Sequence, residues 1–150
     1  MYRSLLVVCD SPPLFGYGGS SRTTSVWLEV ARKVAREVSV LLPDREMYDS
    51  SKFSFEGIQF FAESDLQSRL QQIDFSLIMV LHGWKLQFET LRTLDALSCP
   101  KVYRFGDEWP TKRGFPPNQK PGLTCDLAFF NSEKIMAKLR PVVSAKRYQL

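Results

Sequence analysis

Short apolar runs alternate with amphipathic segments along most of the 150-residue chain. The first run, "SLLVVCD", is a continuous apolar stretch, which is typical of a strand that is buried on both faces of a sheet. "FSLIMVLHG" is the most hydrophobic of the runs, and we expect it near the centre of the sheet. The pattern predicts strands over residues 4–10, 37–43, 58–62, 75–83, 101–107 and 126–132, and the start of a seventh at 146–150.

The segments between these runs have helical spacing. In the first of them, apolar side chains recur every three or four positions, opposite charged ones, which predicts a helix packed on the sheet. These apolar positions are Val26, Trp27, Val30, Ala31 and Val34. Further helices are predicted over 65–72, over 85–97 and from 132 to about 140.

Local signals set some of the helix ends. Ser64 and Ser132 stand where an N-cap is expected, because a serine hydroxyl can accept a hydrogen bond from the first helical amides. Residues 107–122 contain four of the nine prolines, and we expect no regular element there.

The regular alternation of strands and helices predicts the fold class. Strand–helix–strand units imply a parallel sheet with right-handed crossovers. We therefore expect residues 1–150 to form one Rossmann-like α/β domain, with an open parallel sheet of about six to seven strands and helices on both faces. Ligands of such sheets bind beyond the carboxyl ends of the strands.

Composition narrows the class of protein. Hydrophobic residues make up 44% of the chain and charged residues 24%, as in ordinary globular domains. No apolar run approaches the roughly 20 residues that span a bilayer, and no secretory signal is recognisable, so a cytoplasmic location is expected. The three cysteines are predicted to be buried free thiols, and with a single histidine we expect no metal site.

Charge is divided unevenly along the chain. Residues 1–100 carry ten Lys and Arg against twelve Asp and Glu, whereas residues 101–150 carry ten against four, a net charge of +6. The basic part is either a set of solvated surfaces or a surface for a partner chain or an anionic membrane. No RNA-binding signature or dense Arg/Lys run is present, so no nucleic acid is expected.

A glycine-rich turn follows the first predicted strand. In "DSPPLFGYGGSSRTTS", Gly16, Gly18 and Gly19 do not have the spacing of a dinucleotide fingerprint or of a P-loop. Exposed amides at a helix N-terminus nevertheless suit a phosphate, and Arg22 could add a charge-assisted hydrogen bond. The alternative is that the glycines only allow the turn.

Other candidate residues follow the later strands. His82 could hydrogen-bond a hydroxyl-bearing substrate, and Trp84 could offer a platform for a sugar ring, or both could be structural. Asp107, with Glu108 and Trp109 after it, could accept hydrogen bonds from hydroxyls or cap the next loop. Asn131 follows the sixth strand. No second carboxylate can be paired with Asp107 from the sequence, and serine and cysteine nucleophile signatures are missing.

The order of these motifs resembles the amino-terminal, acceptor-side half of a GT-B glycosyltransferase of the family-4-like type. "GYGGSSR" before a helix that leads to "EVSVLLP" is similar to the family's Gly-Gly turn. "DFSLIMVLHGW", "KVYRFGDEWP", "CDLAFFNSEKIMAKL" and "RYQL" resemble its later strands in order and spacing. Gly106 stands where the family often has a histidine, which is a departure from its pattern.

The resemblance implies a metal-independent transfer from a nucleotide sugar, generally with retention at the anomeric carbon and without a cofactor. It implies that Gly18 and Gly19, with Arg22, face the donor diphosphate. It further implies catalytic positions for His82 and Asp107.

The resemblance implies that the acceptor, a glycan or a lipid-linked molecule, contacts residues at the ends of the fourth, fifth and sixth predicted strands. These residues are Trp84, Glu108, Trp109 and Asn131.

The family's second half, which grips the nucleotide and carries paired glutamates, would begin after Leu150. We therefore expect this chain to need a second GT-B half or a partner chain for efficient transfer. Two other functions stay open. One is a non-enzymatic module that docks on a partner or an anionic membrane, and the other is a small enzyme for phosphorylated metabolites.

Overall fold

The computed structural model of the protein describes residues 1–13, 18–47, 55–114 and 123–150. It contains one seven-stranded sheet in the order β3-β2-β1-β4-β5-β6-β7, and every neighbouring pair of strands is parallel. The strands are Tyr2–Val8 (β1), Ala35–Leu42 (β2), Ile58–Ala62 (β3), Leu77–Val80 (β4), Lys101–Phe105 (β5), Thr124–Phe130 (β6) and Ser144–Gln149 (β7).

In the part of the chain that the structure describes, five α-helices connect or follow these strands. They are Gly19–Val34 (α1), Leu66–Gln72 (α2), Phe88–Ala96 (α3), Trp109–Lys112 (α4) and Glu133–Leu139 (α5), with short 3-10 turns at Asp44–Met47 and Glu63–Asp65. The predicted Rossmann-like α/β fold with an open parallel sheet is therefore confirmed, and each predicted strand is present. In the described ranges, no helix is long and apolar enough to cross a bilayer.

Two faces of the sheet carry separate parts of the core. On one face, Leu28 and Ala31 of α1 pack with side chains of β1, β2 and β4. The other face is covered by α2 to α5. Leu91, Trp109 and Leu139 of these helices are buried in the core on this face. Such two-sided burial explains why the central strands are almost continuously apolar.

The cysteines belong to this interior, as predicted for free thiols. Cys9 and Cys125 are buried and Cys99 is half-buried, and all three are free. Burial raises the pKa of the Cys9 thiol and of the Cys125 thiol to about 12. These two thiols are therefore protonated and unreactive at neutral pH.

The register aligns the carboxyl ends of four strands. Val8 of β1 pairs with Val80 of β4, and Val80 pairs with Tyr103 of β5. Phe105 at the end of β5 pairs with Phe130 at the end of β6. The strand order reverses between β1 and β4, which is where open α/β sheets form a ligand crevice.

The helix caps were predicted with mixed success. The hydroxyl oxygen of Ser132 accepts a hydrogen bond from the backbone N–H of Ile135 at 3.3 Å, as expected for an N-cap. Ser64 is not an N-cap, because it lies inside a 3-10 turn and α2 begins after Asp65.

The absence of regular structure predicted for 107–122 was wrong at its start. Residues Trp109–Lys112 form one helical turn with Pro110 in its first positions, where the missing N–H costs no hydrogen bond.

Helix α3 begins later than predicted, at Phe88 instead of residue 85. The carboxylate of Asp10 accepts the backbone N–H groups of Trp84 and Lys85 and so holds this segment as a loop. Glu63 stabilises the amino end of α3, because its Oε2 accepts a hydrogen bond from the backbone N–H of Gln87 at 2.9 Å. The same Oε2 accepts the Thr90 hydroxyl at 2.8 Å.

Candidate functional site

A cleft of about 480 Å³ lies at the carboxyl edge of the sheet. The ends of β1, β4, β5 and β6 and the start of α1 form its wall. Five of the residues predicted for a site line it together, namely Gly19, His82, Trp84, Asp107 and Asn131. The expectation that the motifs after different strands meet at one edge is therefore met by these five.

The amino end of α1 faces this cleft. Gly18 precedes the helix with φ 98° and ψ −177°, a backbone conformation that favours glycine. The helix has no acidic residue in its first turn and no side-chain cap, and Gly19 and Ser20 line the cleft. The first amides of α1, with the partial positive charge of the helix end, are thus available to an anion. Gly16 lies outside the described residues.

Arg104 of β5 contacts residues at the ends of both neighbouring strands, β4 and β6. Its Nη1 lies 3.3 Å from Nε2 of His82, and its Nη2 donates a hydrogen bond to Oδ1 of Asn131 at 3.0 Å. The guanidinium is half-buried, and in the described part of the chain no carboxylate forms an ion pair with it. Arg104 is therefore a cation in the cleft without a direct ion pair to these residues, although the Asp107 carboxylate in the same cleft acts on its charge and raises its pKa against the effect of burial.

The contact with Arg104 also influences the protonation and the tautomer of the His82 ring. Burial, together with the charge of Arg104, lowers the pKa of His82 to about 4, so the ring is neutral at physiological pH. A guanidinium only donates hydrogen bonds, so Nε2 of His82 accepts and the ring proton is assigned to Nδ1. In this arrangement His82 can donate through Nδ1, whereas its Nε2 lone pair is already engaged.

Asp10 is a second titratable group in the cleft wall. It is buried after β1, and desolvation raises the pKa of its carboxyl group to about 6 although the amides of Lys85 and Trp84 act in the opposite direction. Its hydrogen bonds to these amides, at 3.2 and 2.9 Å, hold the loop after β4 in place. Asp10 therefore positions Trp84 and Lys85 at the rim of the cleft.

Asp107 accepts two hydrogen bonds from other residues of the cleft region. Its Oδ2 accepts the indole N–H of Trp84 at 3.0 Å, and its Oδ1 accepts the backbone N–H of Trp109 at 3.0 Å. The first bond orients an indole that is 39% exposed at the cleft. The second caps the turn of α4. Each carboxylate oxygen retains a lone pair for a ligand hydroxyl.

Trp109 is not at the cleft. Its side chain is fully buried, 0% exposed, and packs under Gly83 and against Phe105. The prediction that it contacts an acceptor is corrected, because the helical turn of α4 directs its indole into the core. A Cβ atom at Gly83 would lie 2.5 Å from the Trp109 ring, so the glycine makes room for it.

Glu108 and Arg22 also lie apart from the cleft lining. Glu108 forms ion pairs with Lys138 at 2.8 Å and with Lys112 at 3.4 Å, and the hydrogen bond from Lys138 is the main cause that lowers its pKa. Arg22 lines a neighbouring groove between α1 and the ends of β6 and β7. Gly18 precedes the helix without lining the cleft itself.

The sequence analysis missed Arg104, and Gly106 explains how it reaches the site. A Cβ atom at Gly106 would lie 2.5 Å from Nη1 of Arg104, so only a residue without a side chain leaves this space to the guanidinium. The space over Gly106 is therefore filled by the guanidinium of Arg104, two residues earlier. The sequence signal was the pair of Arg104 and Gly106 at one strand end.

The described residues contain no group of three or more His, Cys, Asp or Glu side chains that could hold a metal ion. Comparison with protein-family models gives no match, and comparison with curated proteins gives none either. The fold and the cleft thus carry the functional argument.

Proposed function

We propose that the protein is the acceptor-side half of a GT-B glycosyltransferase, which takes part in sugar transfer from a nucleotide-sugar donor. The observation that carries the proposal is the cleft in which the N-terminus of α1, Arg104, His82 and Asp107 converge at the strand-order reversal. The order of motifs along the chain supports it independently.

Two cationic features of the cleft suit the donor diphosphate. The amides at Gly19 and Ser20 begin a 16-residue helix, and Arg104 lies across the cleft without a direct ion pair to a carboxylate among the described residues. A guanidinium and helix N-terminal amides are the groups that proteins commonly use for phosphate oxygens. In the proposal they hold the diphosphate, which leaves the reaction independent of a metal ion.

The remaining polar groups suit sugar or acceptor hydroxyls. Asp107 can accept a hydrogen bond from a hydroxyl group, Asn131 can donate and accept hydrogen bonds, and Trp84 presents an indole surface next to them. His82, held neutral by burial and Arg104, donates from Nδ1 to a hydroxyl oxygen. In this role it positions a substrate and does not remove a proton.

The proposal assigns nucleotide recognition and the paired glutamates to a second GT-B half or a partner chain. The present residues then supply the acceptor side and part of the diphosphate site, with the acceptor a glycan or a lipid-linked molecule. No cofactor is involved, since the nucleotide sugar is consumed as a substrate.

A non-enzymatic module that docks on an anionic membrane has weaker support. Three of the lysines in the basic part of the chain, Lys112, Lys138 and Lys146, form ion pairs with Glu108 and Asp126. Their charges are thereby partly compensated at the surface. This alternative predicts binding to anionic vesicles that weakens steeply with salt.

Calorimetric titration with UDP-glucose, GDP-mannose and inorganic pyrophosphate tests the proposal. We expect Arg104→Gln to weaken binding by about tenfold or more, because a charge-assisted hydrogen bond contributes about 1.5–3 kcal/mol. Arg3→Gln is the matched control, since Arg3 lies at the opposite, amino end of β1. Equal affinities of the two variants, or no binding of any of the three ligands, would contradict the proposal.

A further inference from the structure

A second groove, of about 350 Å³, adjoins the cleft between α1 and the ends of β6 and β7. Its apolar lining comes from one turn of α1, from the end of β6 and from the end of β7. The apolar lining residues are Val26, Trp27, Phe129, Phe130 and Leu150. Their arrangement makes an apolar recess beside a polar cleft.

The recess exists because α1 covers only part of its face of the sheet. This helix packs mainly against β1 and β2, and it is the only α-helix on that face among the described elements. Trp27 reaches from α1 to Phe129 of β6, with ring centroids 5.9 Å apart and an interplanar angle of 55°. The two rings form the base of the groove, while Val26 remains 57% exposed at its side.

The groove and the cleft share three lining residues, Thr23, Arg104 and Asn131. A ligand can therefore extend from one into the other past the guanidinium of Arg104. Arg22 lines the groove as well, and no ion pair to it is present in the described ranges. The boundary between polar and apolar space thus carries two arginine side chains.

From this continuity we infer that the acceptor is an anionic amphiphile. Its phosphate-type group binds at Arg22, at the boundary to the cleft in which Arg104 holds the donor, and its hydrocarbon chain lies in the groove formed by Val26, Trp27 and Phe129. The inference rests on the proposed function, whose acceptor class it specifies as lipid-linked. The occupant is a single amphiphile molecule, because Arg22 and the apolar side chains line the same groove, so one molecule can place its charged group at Arg22 and its chain along exposed Val26.

The test uses a series of alkyl phosphates, from ethyl to octyl phosphate, each below its micelle concentration. Full burial of a methylene contributes about 0.8 kcal/mol, which is about fourfold in affinity, and half burial gives about twofold. We therefore expect affinity to rise two- to fourfold per methylene over the first members of the series. Inorganic phosphate gives the baseline without a chain.

Two exposed valines of α1 provide a matched pair of variants. Val26→Ser changes the groove, whereas Val30→Ser changes a valine that is 38% exposed and does not line it. We expect Val26→Ser to reduce the gain from ethyl to octyl phosphate by at least about threefold and Val30→Ser to leave it unchanged. Both sites are exposed, so neither substitution should prevent folding.

Three outcomes would overturn the inference. The first is affinity independent of chain length, and the second is an equal effect of the two valine variants. The third is binding of anionic phospholipid vesicles, insensitive to Val26→Ser, by a protein that does not bind the monomeric phosphates.

The failure of the inference can be separated from that of the proposed function. Binding of UDP-glucose that depends on Arg104, without any dependence on chain length, would refute the amphiphile and leave the glycosyltransferase proposal standing. Binding that depends on chain length and on Val26 supports the amphiphile site. If no nucleotide sugar bound in that case, only the transfer function would be contradicted.

Discussion

His82 and Asp10 are expected to give the stability of the protein two opposite dependences on pH. Histidine has an ordinary pKa of 6.5, and burial beside Arg104 lowers that of His82 to about 4. Between these values the unfolded chain binds the proton and the folded chain does not, so stability falls as pH decreases. The difference corresponds to about 3 kcal/mol, since one pKa unit is about 1.4 kcal/mol.

For Asp10 the sign is reversed. Burial raises the pKa of this carboxyl group from 3.8 to about 6, so the folded chain holds the proton in a range where the unfolded chain has lost it. Stability due to Asp10 therefore rises as pH falls from 6 to 3.8, by about 3 kcal/mol. In the unmodified protein the two contributions offset each other over most of this range.

Single substitutions separate the two contributions. His82→Gln keeps an acceptor for Arg104 and leaves the Asp10 contribution, so this variant should become more stable relative to the unmodified protein as pH falls from 7 to 4. Asp10→Asn should become less stable over the same range. Each change should be about 3 kcal/mol.

Urea unfolding at pH 4, 5, 6 and 7 measures these differences. Other carboxylates titrate alike in all three proteins, and their contributions cancel when variants are compared with the unmodified chain. Difference curves that are flat between pH 4 and 7, or that have the opposite sign, would refute the burial argument for that residue.

Three further substitutions test the structural basis of the site. Gly83→Ala should lower the free energy of unfolding by about 1–3 kcal/mol, because its Cβ would lie 2.5 Å from the buried Trp109 ring; Gly19→Ala, with open space around it, is the control in urea unfolding. Gly106→Ala should change stability little, because its Cβ meets only the end of the flexible Arg104 side chain. The substitution should weaken pyrophosphate binding by roughly tenfold in calorimetry, because it displaces the guanidinium. Unchanged affinity would contradict the role of that guanidinium. Glu63→Ala should cost about 1–2 kcal/mol in urea unfolding, since it removes the acceptor for the Gln87 N–H at the start of α3, and no loss would show that this cap is dispensable.

The sheet could be predicted because its signals are local. Each buried strand is an apolar run with a clear end, as in 75–83. The N-cap Ser132 could also be predicted, because it is the residue directly before its helix in the sequence. The alternation of these elements then limits the topology to a parallel sheet. The edge at which ligands bind follows from that topology without further information.

The side chains at that edge were predicted only in part, because their positions depend on distant contacts. Trp109 follows two acids at a strand end and was predicted to contact an acceptor, but its burial depends on Gly83, 26 residues earlier. Arg104 stands inside a strand between two apolar residues, and only the space over Gly106 directs its guanidinium to His82. Asp10 stands at the end of a strand, a common position for an acidic residue, so the sequence does not single it out. Its burial depends on the loop after β4, whose Trp84 N–H it accepts.

The most direct measurement of the central claim is an NMR titration of the isotope-labelled protein with UDP-glucose and GDP-mannose. His82 is the only histidine, so its ring resonances report on the cleft without overlap from other histidines. The account predicts that a nucleotide sugar shifts the His82 ring and the amides of Gly19 and Asn131, while Gly57, at the opposite edge of the sheet before β3, stays unchanged. Saturating ligand without any change at His82, Gly19 and Asn131 would contradict it.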